Sequence, residues 1–271
     1  MSMQQIDTLV RKRRSFRTFD EREVTQEHME LLYGFLAKLD NPYGLPMEFK
    51  FLNAKEEKLS CPVVVGTDLY LGVKMKKTPF LNEAVGYSLE KLMLYALSLG
   101  VGSVWIGGTM DRAAFERAME IQPDEVMPCV TPLGYPAEKM SVRETLMRKT
   151  IHAEERLPFE ELFFKGNFDT PMKQDEAEKL AHPLEMVRLG PSAVNKQPWR
   201  AVVTDHTVHF YLKRSKGFGD SLLDMQKIDL GIALCHFALS AEEDGLDLQF
   251  VQSDPKIAVP DGIEYIASYE F

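Results

Sequence analysis

Five cationic side chains crowd one short stretch near the N-terminus: Arg11, Lys12, Arg13, Arg14 and Arg17, with Ser15 among them. A guanidinium presents forked N–H donors that match phosphate oxygens, and a serine hydroxyl or free backbone amide adds further donors. The pattern suits a small anionic ligand; a solvated basic terminus is the other reading of the same residues. A second stretch, PSAVNKQPW at Pro191 to Trp199, places Asn195 and Gln197 where paired donors and acceptors could read the edge of a heterocycle. Pro191, Ser192 and Ala193 give a compact surface for a ring, and Pro198 fixes the chain before a strand. A third, GVGSVWIGG at Gly100 to Gly108, has the look of a dinucleotide loop but puts Trp105 where the third glycine belongs and follows a helix, not a strand. Gly107 and Gly108 remain a place where backbone can come close to a flat ligand.

The bulk composition narrows the partners. The chain has 271 residues, 45% hydrophobic and 27% charged, with 32 Lys+Arg against 41 Asp+Glu. A net charge of -9 disfavours nucleic acid or an anionic membrane as the main partner, because either wants a basic surface. No apolar run is long enough for a membrane span and no signal-peptide core is present, so a cytoplasmic protein is expected. Cys61, Cys129 and Cys235 are widely spaced and suit buried reduced thiols. His206 and His209 would point to opposite faces of a strand, so no metal site is expected.

The elements that must hold these stretches alternate. A short helix is expected at Gln4 to Val10, and an amphipathic one at Thr25 to Leu39, N-capped by Thr25 and closed by Asn41-Pro42-Tyr43-Gly44. Strands are expected at Phe49 to Asn53, at Cys61 to Gly66 as a central strand, at Val104 to Ile106 and at Val126 to Leu133. Helices follow at Glu83 to Leu99, apolar on nearly every face and stopped by Gly100, and at Asp111 to Met119. The second half has helix at Asp175 to Val187, strands at Arg200 to Thr204 and His209 to Leu212, and a long helix at Ile228 to Asp244 ended by Gly245. This is an α+β or α/β arrangement with helices covering sheets.

The long helices also match each other. GYSLEKLMLYALSLG, Gly86 to Gly100, and GIALCHFALSAEEDG, Gly231 to Gly245, both start and stop on glycine fourteen positions apart. Phe19-Asp20 is echoed by Phe168-Asp169. Such recurrence implies two versions of one unit, over residues 1–166 and 167–271, packed as one compact domain. Coincidence between two apolar helices is the alternative.

Together, RRSFRTF, SLGVGSVWIGG, PLGYPAEK (Pro132 to Lys139) and PSAVNKQPWRAVV resemble the FMN-dependent nitroreductase family. The resemblance implies an α+β nitroreductase-like fold and the intertwined homodimer of that family, in which one subunit brings the Arg-Ser motif and the other the Pro-Ser-Asn loop. Here each half keeps one motif: the first reads NPYGLPMEFKFL where the loop should follow, the second FFKGNFDT where the arginines should stand. The chain thus resembles a single-chain tandem branch, a pseudo-dimer acting as a monomer or weak homo-oligomer, with one surviving site. Carried over by motif, Arg13, Arg14, Ser15, Arg17 and Arg156 would bind FMN phosphate, ribityl chain and pyrimidine edge. Trp105, Ile106, Gly107 and Gly108 would pass along the isoalloxazine, with the Gly108 amide near N5. Pro191, Ser192, Ala193, Asn195 and Gln197 would cover the other side. The implied activity is hydride transfer from NADH or NADPH to a nitroaromatic, quinone or similar small acceptor, with no side-chain acid, base or nucleophile. A flavin-binding protein without turnover is the alternative. Residues 74–81 and 213–226 are expected at the channel rim.

Overall fold

Thr25 accepts the His28 N–H on its hydroxyl at 3.3 Å and so starts a helix where the sequence places one. The computed structural model describes residues 6–218 and 222–271. After α1 (Ile6–Lys12), the chain runs through α2 (Gln26–Leu36), β1 (Glu48–Asn53), β2 (Leu69–Lys76), α3 (Leu81–Ser98), β3 (Gly102–Ser103), α4 (Arg112–Ala118), β4 (Glu125–Val126), β5 (Val130–Gly134) and α5 (Val142–Thr150). It continues through α6 (Phe159–Leu162), β6 (Phe163–Lys165), α7 (Ala181–Leu189), β7 (Trp199–Val203), β8 (Thr207–Lys213), α8 (Met225–Glu243), β9 (Gln249–Val251) and β10 (Ile263–Glu270). Residues 12–153 form one compact unit, and residues 6–11 with 154–271 form the second.

Each unit holds a five-stranded sheet, ordered β1-β2-β5-β3 with β4 also on β2, and β6-β7-β8-β10-β9. The same plan recurs: a helix, an antiparallel strand pair, a long helix, a short strand, then a strand that returns between the pair and the short strand. β6 adds a parallel edge to β7 in the second sheet. The long helices follow from composition. α3 is buried from Leu81 to Glu90 and α8 nearly throughout, as helices apolar on all faces must be. Gly100 (φ 79°) and Gly245 (φ 81°) end them in the left-handed region.

Several expected elements differ. CPVVVG is no strand: Pro62 has no N–H to give a ladder, and Val65 makes only a single parallel bridge to Thr18 while remaining half exposed. The central strand is β2, where Lys74 is buried between Glu48 and Glu125. Val126 to Leu133 splits into β4 and β5 around Pro128. Val104 to Ile106 contributes only an Ile106 bridge to Val130, beside the short β3. Asp175 to Val187 begins as two short 3₁₀ turns, and the α-helix starts only at Ala181. All three cysteines are buried free thiols, and among the described residues no helix is long and apolar enough to cross a membrane.

Gly66 turns the chain beside the arginine segment at φ 84°, and a Cβ there would lie 2.2 Å from the Phe19 carbonyl oxygen. Gly66→Ala is expected to destabilise the protein by about 2–3 kcal/mol, since both the φ and the clash oppose it. Urea unfolding measures this, and a change below about 0.5 kcal/mol rejects the account.

Candidate functional site

The arginine segment is clamped by backbone on two sides. Val65 N–H donates to Arg17 O at 2.9 Å and Phe19 N–H to Val65 O at 2.9 Å, while Ala137 N–H donates to Thr18 O at 3.1 Å and Asp20 N–H to Tyr135 O at 3.0 Å. PLGYPAEK thus supplies one jaw of the clamp. Phe16 N–H reaches Ser103 O at 3.0 Å, and Gly102 is needed there because a Cβ would lie 2.9 Å from the Phe16 ring.

Two buried carboxylates sit under the cations. Glu90 on α3, with no exposed side-chain surface, lies 3.8 Å from Arg13 Nε and accepts the Trp105 indole N–H at 2.9 Å. Glu144 on α5 accepts from the Arg17 backbone N–H (3.2 Å) and the Thr18 hydroxyl (2.8 Å), and lies 3.5 Å from Arg14 Nη1. The Arg14 guanidinium also stands 4.6 Å over the Phe16 ring. Ser15 is half-buried. Burial pulls Arg13 and Arg17 below the ordinary arginine range; Glu90 opposes this for Arg13 and Glu144 for Arg17, and Arg148 repels both. Arg148, Glu90 and Glu144 are site residues that sequence reasoning did not single out. Glu144 and Arg148 lie on α5, a helix the sequence pattern does not announce, and Glu90 sits in a helix expected to be apolar on nearly every face.

The decisive feature is what these guanidiniums do not reach. Arg13 Nε and Nη1, and Arg17 Nε and Nη1, are buried and make no hydrogen bond among the described residues. An arginine does not deprotonate in a protein, so buried donors of this kind call for an acceptor.

The other segment of the first unit is anchored by its backbone. Ile106 exchanges both hydrogen bonds with Val130, at 3.0 and 2.9 Å. Trp105 and Gly107 are half-buried and Gly108 exposed.

In the second unit, PSAVNKQPW is a strained loop. Val194 (φ 44°), Asn195 (φ 56°) and Gln197 (φ 48°) all adopt left-handed backbone, which costs a non-glycine residue and persists only where neighbours enforce it. The enforcers are visible. Ser192 Oγ accepts the Gln197 N–H at 2.8 Å, Asp229 accepts the Ala193 N–H at 3.0 Å, and Gln197 Oε1 accepts the Leu157 N–H at 2.9 Å. Asn195 Nδ2 donates to Glu155 O at 3.0 Å, and Arg156 donates to Asn195 Oδ1 (3.4 Å) and Leu189 O (3.2 Å). Arg156 therefore bonds within this loop's own surroundings. Asp229 is held well above the usual carboxylate range, first by burial and then by Asp224, against the Ala193 hydrogen bond. Pro191 and Ser192 are half-buried, and His209 is taken up by Ser268 and Thr204.

A family model described as "Putative TM nitroreductase" matches residues 5–241. The chain belongs to that nitroreductase family. A "Putative NADH dehydrogenase/NAD(P)H nitroreductase" of Methanothermobacter thermautotrophicus is 28% identical over 163 residues, 54% of this chain and 84% of that protein. The solved structure of a "putative nitroreductase" from Thermotoga maritima superposes with a TM-score of 0.62 at 20% identity, covering 99% of this chain and 94% of its own. The nitroreductase-like fold therefore runs through the whole chain, with a sheet in each of its two units.

Two outcomes follow from the buried carboxylates. Glu90→Leu strands the buried Arg13 cation and removes the acceptor of the half-buried Trp105 indole N–H, so a loss of about 3 kcal/mol in urea unfolding is expected. Asp229→Asn keeps an acceptor for Ala193 without the ionisable group. The unfolded carboxyl ionises near its ordinary value while the folded one resists, so wild type loses stability as pH rises from about 4 through the raised folded pKa. Asp229→Asn should show no such loss and melt higher at neutral pH; equal melting temperatures at pH 4.5 and 7.5 in both proteins would contradict this.

Proposed function

We propose that this nitroreductase-family protein is an FMN-dependent oxidoreductase that uses NADH or NADPH to reduce nitroaromatic, quinone or similar small acceptors in a ping-pong cycle. The observation that carries the reading is the set of buried donors on Arg13 and Arg17 that make no hydrogen bond among the described residues. FMN brings a phosphate whose oxygens match such forks, so the residues present fit the group. The curated relative's name, with its NADH and NAD(P)H, supports the choice of electron donor.

Arg13, Arg14, Ser15 and Arg17 would hold the phosphate, the ribityl chain and the pyrimidine edge. Trp105, Ile106, Gly107 and Gly108 would line the ring, and the family resemblance assigns Arg156, Pro191, Ser192, Ala193, Asn195 and Gln197 to the same ligand. Once bound, the flavin supplies the redox chemistry, taking a hydride from the nicotinamide and passing electrons to the acceptor. The protein's part is positional and electrostatic: fixed cations favour the anionic reduced form, and a pre-aimed backbone amide costs no reorganisation. The recurrence of one connection order in both units is read as two family subunits fused, so that one chain carries both residue sets and works as a monomer.

The purified protein is expected to be yellow or to quench added FMN, and NADH or NADPH should bleach the bound flavin anaerobically. Arg13→Ala and Asn195→Ala should each weaken FMN binding by about 10-fold or more, the scale of one lost charge-assisted contact. Absence of quenching refutes the flavin site, while a bound flavin that neither nicotinamide reduces leaves a flavin-binding protein without reductase activity.

A further inference from the structure

Arg112 opens α4 directly after the Asp111 cap, and its side chain turns back onto the segment before the helix. Nη2 donates to the Gly107 carbonyl at 2.6 Å and to Pro128 O at 3.4 Å; Nη1 donates to Met127 O at 2.7 Å and lies 3.5 Å from Glu116 Oε1. The Gly107 carbonyl and the Gly108 N–H are the two ends of one peptide plane. No peptide bond among the described residues is cis, so they point in opposite directions. A guanidinium that holds the carbonyl from behind therefore aims the N–H to the front.

The flanking residues are tied down as well. Ile106 is fixed by Val130, Thr109 O accepts the Cys61 thiol at 3.3 Å, and Asp111 N–H donates to Ser60 O at 2.9 Å. Between these ties Gly108 is exposed, its N–H donates to nothing among the described residues, and nothing beyond its chain neighbours lies within 4 Å of where a Cβ would stand. A donor fixed from behind and open in front is preorganised for an acceptor atom on a ligand.

We infer that Arg112 is a positioning residue that sets the Gly107–Gly108 peptide and directs the Gly108 N–H at an acceptor on the flat ring of the bound cofactor. The ligand named rests on the flavin reading above. Lysine is a poor substitute, because one ammonium lacks the rigid fork that reaches three carbonyls.

Arg112→Leu and Arg112→Lys, each alone and combined with Gly108→Pro, which removes the N–H, form the test. FMN dissociation constants are read by fluorescence quenching, and the Gly108 amide resonance is read in the ¹⁵N-glycine-labelled apoprotein. Arg112→Leu should raise the dissociation constant about 10-fold and shift the Gly108 resonance, with Arg112→Lys intermediate on both. On the Gly108→Pro background the Arg112 change should add almost nothing, since it acts through the N–H already removed. Fully additive effects, or an unmoved Gly108 resonance with wild-type FMN affinity, overturn the inference. Should Arg112→Leu fail to fold, Arg112→Lys is read by the same criteria. If wild type binds no FMN, the flavin reading fails and the named ligand with it, and the resonance still reports separately whether Arg112 sets the peptide.

Discussion

The first unit is organised around a buried positive charge. The Arg13 side chain is 7% exposed, and a cation so placed costs several kcal/mol unless something compensates. Glu90 supplies part of the compensation from the middle of a largely buried helix, and Glu144 does the same beneath Arg14 and the Arg17 backbone. Burying ion pairs in this way is a poor route to stability, because well-packed hydrophobic residues serve as well or better. Its use here points to position. The carboxylates fix where the guanidiniums of Arg13 and Arg14 stand, and Arg148 adds its repulsion to Arg13 and Arg17.

The two units share a connection order but spend the corresponding loop differently. In the first, Asn41 closes its own loop: Nδ2 donates to Leu45 O at 2.8 Å, and Oδ1 accepts from the Tyr43 and Leu45 amides at 3.2 and 3.3 Å. Such an Asx-type turn is unstrained and uses the side chain entirely for local structure. In the second, three non-glycine residues are held left-handed by bonds from Glu155, Leu157 and Asp229, so external contacts maintain a shape that the loop would not adopt alone. Strain kept up from outside marks the second loop as the specialised one.

Much of the scaffold was legible in the sequence because it is set by local patterning. Both long helices, the Thr25 cap and the glycine stops at 100 and 245 depend on periodicity and φ, which neighbouring residues determine. The failures were tertiary. CPVVVG looks like a central strand because β-branched residues favour strands, but Pro62 and the lone bridge to Thr18 decide otherwise. β2 was not among the expected strands, and only the fold shows Lys74 of LYLGVKMK buried between two glutamates. The arginine segment and the PSAVNKQPW loop were visible as unusual compositions. Glu90, Glu144 and Arg112 were not, since each is an ordinary charged residue on a helix until its partner is known.

The choice of donors also shapes the way the site can respond to pH. Backbone amides do not titrate, and a guanidinium keeps its proton across the physiological range even when burial lowers its pKa. A segment built from these groups therefore holds its charge constant across the physiological pH range. Asp229 is the exception beside the loop: burial, with Asp224, raises its pKa, and it accepts a hydrogen bond from the Ala193 amide. A neutral carboxyl accepts that hydrogen bond through its carbonyl oxygen without bringing an uncompensated charge into the interior. Burial thus favours the neutral form of Asp229 although the Ala193 hydrogen bond favours the ionised one.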